Sequence, residues 1–225
     1  MIDRSTVRGR IVAAALDLAA QRPWDKVTLR DIAEAAGSNL VELRREFRSK
    51  GEILAAFARM IDDEVLAKAP ARTPGQAARD HLFEVLMSRF DALQAYRPAL
   101  KSIAAAAQPD PALMRAFLGS QAWMLHAAGI GTDGIEGGLK LAGLASIYAS
   151  VFRTWLDDDD PGLARTMAAL DRRLRRAERS YTRIEDGLGL VRRFVAMVSP
   201  SVRPSRSPPP AGADENPAPT PDPVV

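Results

Sequence analysis

The chain reads as all-α, and three observations carry that reading. Apolar residues recur at spacings of three and four through most of the 225 residues, the period of a helix face. No convincing period-two alternation marks a half-buried strand. Capping and breaking residues separate the periodic runs. The expected architecture is an N-terminal three-helix helix-turn-helix domain (1–69), a C-terminal helical bundle (75–198) and a disordered, Pro-rich tail (199–225).

A long first helix is expected from Ser5 to Gln21. Thr28 can cap the next, with Asp31 three places on to complete a polar pairing at the helix start. Ile32, Ala33 and Ala36 share one face, and Gly37 can take the left-handed conformation that stops the helix. Ser38 and Asn39 can cap a short helix that turns Leu40, Leu43 and Phe47 inward and Glu42, Arg44, Arg45 and Arg48 outward. Ser49 and Glu52 form an S-x-x-E box that opens a longer helix through Ile53, Leu54, Phe57 and Ile61. Two short helices joined by a tight turn are a device for placing a helix in the DNA major groove.

Pro70 to Gly75 breaks the pattern and separates the two helical regions. Amphipathic runs follow near 75–94, 97–107, 111–129, 134–156, 162–182 and 185–198, punctuated by Pro98, Pro109, Pro111, Gly129, Gly134, Pro161 and Gly187. The tail from Ser199 holds nine of the sixteen prolines, with too few large apolar residues to offset the entropy of ordering.

With no cysteine and 47% hydrophobic residues, the chain can bury a core without disulfides, as suits a reducing cytoplasm. No stretch is apolar for long enough to span a bilayer, and no signal peptide is evident. The net charge of +3 says little, but its distribution says more. Residues 1–60 hold eleven Lys and Arg against eight Asp and Glu. Enzyme chemistry is unsupported. The only histidines are His81 and His126, and there is no phosphate loop after a strand and no metal-ligand spacing. No cofactor is expected. Asp157 to Asp160, just before Pro161, read as the end of one helix and the acidic cap of the next.

The long first helix, the Trp24-Asp25-x-Val27-Thr28 entry, D-I-A-E-A-A-G, L-x-x-x-F and S-K-G-E-I-L together resemble the DNA-binding domain of TetR/AcrR-type transcriptional regulators, over about residues 6–60. The resemblance implies an all-helical homodimer whose C-terminal domain binds a small molecule and changes operator affinity. It places Thr28, Arg30, Ser38, Asn39, Glu42, Arg44, Arg45, Arg48 and Lys50 at the DNA, with Arg4, Arg8 and Arg10 toward the backbone. Where such regulators usually carry a small residue, a Leu-Tyr pair and a His before the Phe, this chain has Val41, Glu42, Leu43-Arg44 and Glu46-Phe47. Arg44 can replace a tyrosine's phosphate contact. Glu46 would repel phosphates unless a cation such as Arg45 pairs with it.

In the C-terminal region, soft and aromatic residues concentrate between Phe83 and Trp155. Met87, Phe90, Met114, Phe117, Trp123, Met124, Tyr148, Phe152 and Trp155 can line an apolar ligand pocket or fill a core. His126, one turn after Trp123, can hydrogen-bond a ligand or be satisfied within the domain.

The run from Trp123 through W-L-D-D-D-D-P to T-M-A-A-L-D-R-R-L is similar to the lipid-binding accessory proteins of ubiquinone biosynthesis, over about residues 121–176. Those proteins keep a TetR-like fold, hold isoprenoid lipid and assist a hydroxylase. The matching positions are Trp123, Asp133, Lys140, Tyr148, Trp155, Asp157, Thr166 and Asp171. This resemblance supplies the alternative function, a lipid-binding accessory protein that does not read DNA. The amphipathic segment 184–198 can pack in a dimer or lie on an anionic membrane surface.

Overall fold

The computed structural model describes residues 2–69, 72–106 and 110–180. The tail expected from residue 199 and the amphipathic segment 184–198 lie outside these described residues. Among the described residues all regular structure is helical.

The first four helices are α1 (Val7–Gln21), α2 (Leu29–Ala35), α3 (Leu40–Glu46) and α4 (Lys50–Lys68). Helix α1 starts two residues later than expected because Thr6 is its cap, with the hydroxyl accepting from the Gly9 amide at 3.0 Å. Thr28 and Asp31 form the reciprocal capping box of α2. Asp31 also meets Arg22 at 2.7 Å. Gly37, at φ +60°, ends α2 in the left-handed region. The amides of Gly37 and Ser38 then reach back to the carbonyls of Glu34 and Ala33, closing the two bonds of a Schellman stop. Asn39 caps α3, accepting from Val41 and Glu42 at 2.9 and 3.0 Å. At the start of α4, Ser49 accepts from the Glu52 amide, but the Glu52 carboxylate accepts from the Arg48 amide, one residue before the cap.

The second half comprises α5 (Ala78–Leu93), α6 (Arg97–Ala105), α7 (Pro111–Ala127), α8 (Gly134–Leu156) and α9, described over 164–180. Helix α7 packs along α4 and helix α6 along α1. One apolar core therefore runs from Ile11 through Phe57, Phe90 and Trp155 to Leu174, joining the N-terminal helices to the rest. Gly51 shows how closely the two halves meet. A Cβ there would fall 1.9 Å from the Asp110 carboxylate, which caps α7 by accepting from Ala112 and Leu113.

A polar network ties the four central helices together inside that core. Asp62 of α4 pairs with Arg89 of α5, and Ser120 of α7 donates to the same carboxylate. The Arg89 Nε donates to the Tyr148 hydroxyl of α8 at 3.0 Å. All four residues are at most 5% exposed. Burial pushes the Tyr148 phenol above its ordinary value, so it stays neutral.

Candidate nucleic-acid interface

The outer face of α3 separates its charges in an ordered way. Leu43 and Phe47 are 2% exposed and hold the helix on the core. Leu40, expected inward, is 44% exposed. It is the first residue of a seven-residue helix, one turn beyond the side chains that seat it. Val41 is 63% exposed, an outward apolar residue that the sequence reading did not place at the interface.

Both acids of this helix are held within the fold. The Glu46 carboxylate meets Arg8 of α1 at 3.3 Å, and that guanidinium also lies 4.6 Å from the centre of the Phe47 ring. The neutralising cation comes from α1 and not from Arg45. Glu42 accepts from the Ser38 hydroxyl at 2.7 Å. The side chains of Arg30, Arg44, Arg45 and Arg48, in contrast, are exposed and have no side-chain hydrogen bond or ion pair among the described residues.

The other expected DNA-facing residues make contacts within the fold, although Thr28 and Asn39 are themselves exposed. Thr28, Ser38 and Asn39 serve the helix starts just described. Lys50 turns inward, its ammonium donating to the carbonyls of Trp24 and Val27 at 2.9 and 2.8 Å and lying 4.6 Å from the centre of the Trp24 ring. Burial lowers its pKa. It closes the 3-10 turn Trp24–Lys26 instead of facing outward, because those two carbonyls lie within reach of the first turn of α4. Arg4 pairs with Asp17 at 3.1 Å, and Arg10 donates to the carbonyls of Ala36 and Ser5.

The expected pocket residues divide into two groups. Phe90, Met124 and Trp155 are fully buried and Tyr148 nearly so. Phe90 stacks on Tyr148 at 5.1 Å, and Phe152 lies 5.3 Å from Trp155. Half-buried Met87 and Phe117 pack against this aromatic core. Met114 and Trp123 are 56% and 57% exposed, on opposite faces of α7. His126 is also exposed, with Nε2 3.1 Å from the Thr132 hydroxyl and its ring in a T-shaped contact with Trp123. The ten residues therefore do not line one cavity.

The acids before Pro161 form a built corner. Asp158 is fully buried and accepts from the Thr166 amide and hydroxyl at 2.8 and 2.7 Å. Asp160 accepts from Ala164 at 2.9 Å at the head of α9. Arg97 lies over the Trp155 ring and donates to the Asp158 carbonyl, while Asp171 binds Arg79 and Arg175. Trp155, Thr166 and Asp171 thus hold α8 and α9 to each other and to the helices behind them.

Residues 11–57 match the family model of the bacterial regulatory proteins of the tetR family. The N-terminal helices are thus similar to those of tetR-family regulatory proteins. Residues 139–180 match the COQ9 family model. The fold is similar to the crystal structure of the TetR transcriptional regulator from Nitrosomonas europaea ATCC 19718, with 27% identity and a TM-score of 0.59 over 77% of this chain and 98% of that one. It is also similar to a TetR transcriptional regulator from Rhodococcus sp. RHA1, with 21% identity and a TM-score of 0.58 over 76% and 96% of the two chains. A tetR-family regulator from Streptomyces coelicolor matches at 20% identity and a TM-score of 0.53 over 84% and 91%. No match was found among the curated proteins.

Two features of the site escaped sequence reasoning. The Arg8–Glu46 pair spans 38 positions, and no local pattern links them. Asp62 and Arg89 left a readable signal, since Arg89 falls three residues after Leu86 and four before Leu93, on a face that periodicity assigns to the core. Among the described residues no helix is long and apolar enough to cross a membrane.

Proposed function

We propose that the chain is a ligand-responsive TetR-type transcriptional regulator that binds operator DNA as a homodimer through α3. The observation that carries this reading is the charge arrangement of that helix. Its acids are tied to Arg8 and Ser38, while Arg44, Arg45 and the adjacent Arg48 are exposed and their side chains have no partner among the described residues. Unpaired guanidinium groups on an exposed helix suit phosphate and guanine contacts. Val41 offers a surface for a thymine methyl group. In this reading residues 1–69 are the reading head and 75–198 bind ligand and partner.

Support for a dimer comes from α8. Ile135 and Leu139 are 95% and 54% exposed, and Ala142 and Ser146 continue their stripe at helical spacing. Beside it, a Cβ on Gly138 or Gly143 would meet nothing within 4 Å. An apolar stripe with small residues suits close approach of a second copy. Support for a ligand within the C-terminal region comes from Gln121. It is fully buried, and neither amide atom has a hydrogen-bond partner, a costly state that a ligand's polar group would relieve.

Selection from a genomic DNA library, including the region upstream of the chain's own gene, tests the reading. The expected result is sequence-selective enrichment that persists at moderate salt. The COQ9 match over 139–180 favours one alternative, a lipid-binding accessory protein. Absence of selective enrichment together with a co-purifying isoprenoid lipid would establish it instead.

A further inference from the structure

A cleft of about 430 Å³ lies between the head and α7. Glu46 and Phe47, at the end of the reading helix, form one side, and Arg115, Gly119 and Trp123 of α7 face it. Arg8 and Arg59 complete the rim, and Asp62 and Ser120 reach it from the buried network. The site is separate from the aromatic core of α5 and α8.

Its charges are unbalanced in a telling way. Each acid on the wall already has a partner: Glu46 has Arg8, Asp62 has Arg89, and Glu52 has the Arg48 amide. Arg59 has no hydrogen bond or ion pair among the described residues, and Arg115 donates only to the Pro111 carbonyl of its own helix. The cleft thus combines two cations lacking an acid with an exposed indole and small apolar walls at Ala55, Ala112 and Ala116. A planar anion is what such a set recognises, through guanidinium hydrogen bonds and stacking on the aromatic ring.

We propose that this cleft binds a small aromatic acid, its anionic group held by Arg59 and Arg115 and its ring against Trp123. The position gives binding a consequence. An anion beside Arg8 competes with Glu46 for that guanidinium, and a freed Glu46 carboxylate at the DNA-facing helix weakens DNA binding. Linkage requires that DNA weaken the acid's binding by the same factor. The effect on DNA rests on the regulator reading, whereas binding in the cleft does not.

The test uses the full chain and 8-anilinonaphthalene-1-sulfonate, an aromatic anion whose fluorescence reports binding. Without DNA, the Arg59→Gln, Arg115→Gln variant should bind it at least tenfold more weakly. Gly119→Leu should do the same by filling the cleft, since a Cβ at Gly119 meets nothing within 4 Å and leucine favours the helix. Arg172→Gln, an exposed arginine of α9 that does not line the cleft, should leave the affinity unchanged. Unchanged affinity in the arginine variant and in Gly119→Leu, both with native circular dichroism, overturns the proposal. With a selected DNA fragment present, the sulfonate should release DNA from the native chain and much less from Glu46→Gln. If the sulfonate binds as described and the chain selects no DNA, the regulator reading falls and the cleft stands. If DNA is selected and neither cleft variant matters to the sulfonate, the reading stands and the cleft falls.

Discussion

The outer face of α3 and the corner between α8 and α9 both concentrate charged residues, and they use them in opposite directions. In the corner, Asp158 and Asp160 accept hydrogen bonds from the chain itself, and Asp171 closes on two arginines. On α3 the acids are drawn back into the fold, and the arginines have no partner among the described residues. Charge density alone does not distinguish a scaffold from a contact surface. The distinction is whether the fold supplies the counter-charge.

Substitutions that remove internal partners should act on stability, and the largest effect belongs to the buried network. Asp62→Ala leaves Arg89 buried and uncompensated, so urea unfolding should show a loss of about 3–5 kcal/mol. In the corner, Thr166→Val strips the hydroxyl donor from a fully buried carboxylate, leaving the backbone amide in place, and should cost about 1–3 kcal/mol. Burial pushes the Asp158 carboxyl up, but the Thr166 and Asp160 donors outweigh it and hold it below the ordinary aspartate value. A depressed folded-state pKa contributes stability that is present above the unfolded-state value, about 4, and lost as pH falls through the folded one. Thr166→Val should therefore flatten the acid limb of the stability profile, as thermal melts between about pH 5 and 2 would show.

Substitutions on α3 should act on DNA and leave stability almost unchanged. Arg44→Ala should weaken binding to a selected fragment by about 1–3 kcal/mol if it contacts a base, or lower the salt slope by about one if it contacts a phosphate. Glu46→Gln removes an acid and frees Arg8, so it should tighten DNA binding several-fold in the same titration. The half-buried pair it breaks is worth about 1 kcal/mol to stability. Gly37→Ala acts on the turn before α3. No atom lies within 4 Å of the new Cβ, and the left-handed backbone alone should cost about 1 kcal/mol. A larger loss of DNA affinity than of stability would show that the turn sets the angle of α3.

The contrast also explains what the sequence made legible. Helix boundaries were readable because caps and stops act over three or four residues: Thr28 with Asp31, Gly37, and Asn39 with the start of α3. The acidic cap at Asp157 to Asp160 was readable for the same reason. Side-chain direction was harder. Lys50 resembles a phosphate contact until the fold brings the carbonyls of Trp24 and Val27 beneath it, and Glu46 resembles a fault until Arg8 arrives from α1. Met114, Trp123 and Phe90 look alike as apolar residues at helical spacing, yet only tertiary packing assigns the first two to the surface and the third to the core.

The central claim is that unpaired arginines on α3 read DNA, and a salt titration tests it most directly. Binding of a selected fragment would be followed by fluorescence anisotropy across a range of salt concentrations, for the native chain and for Arg44→Ala, Arg45→Ala. The account predicts weaker binding by the variant at every salt, with the slope of log affinity against log salt shallower by about two if both arginines neutralise phosphates. Equal affinity and equal slope for the two proteins would contradict it.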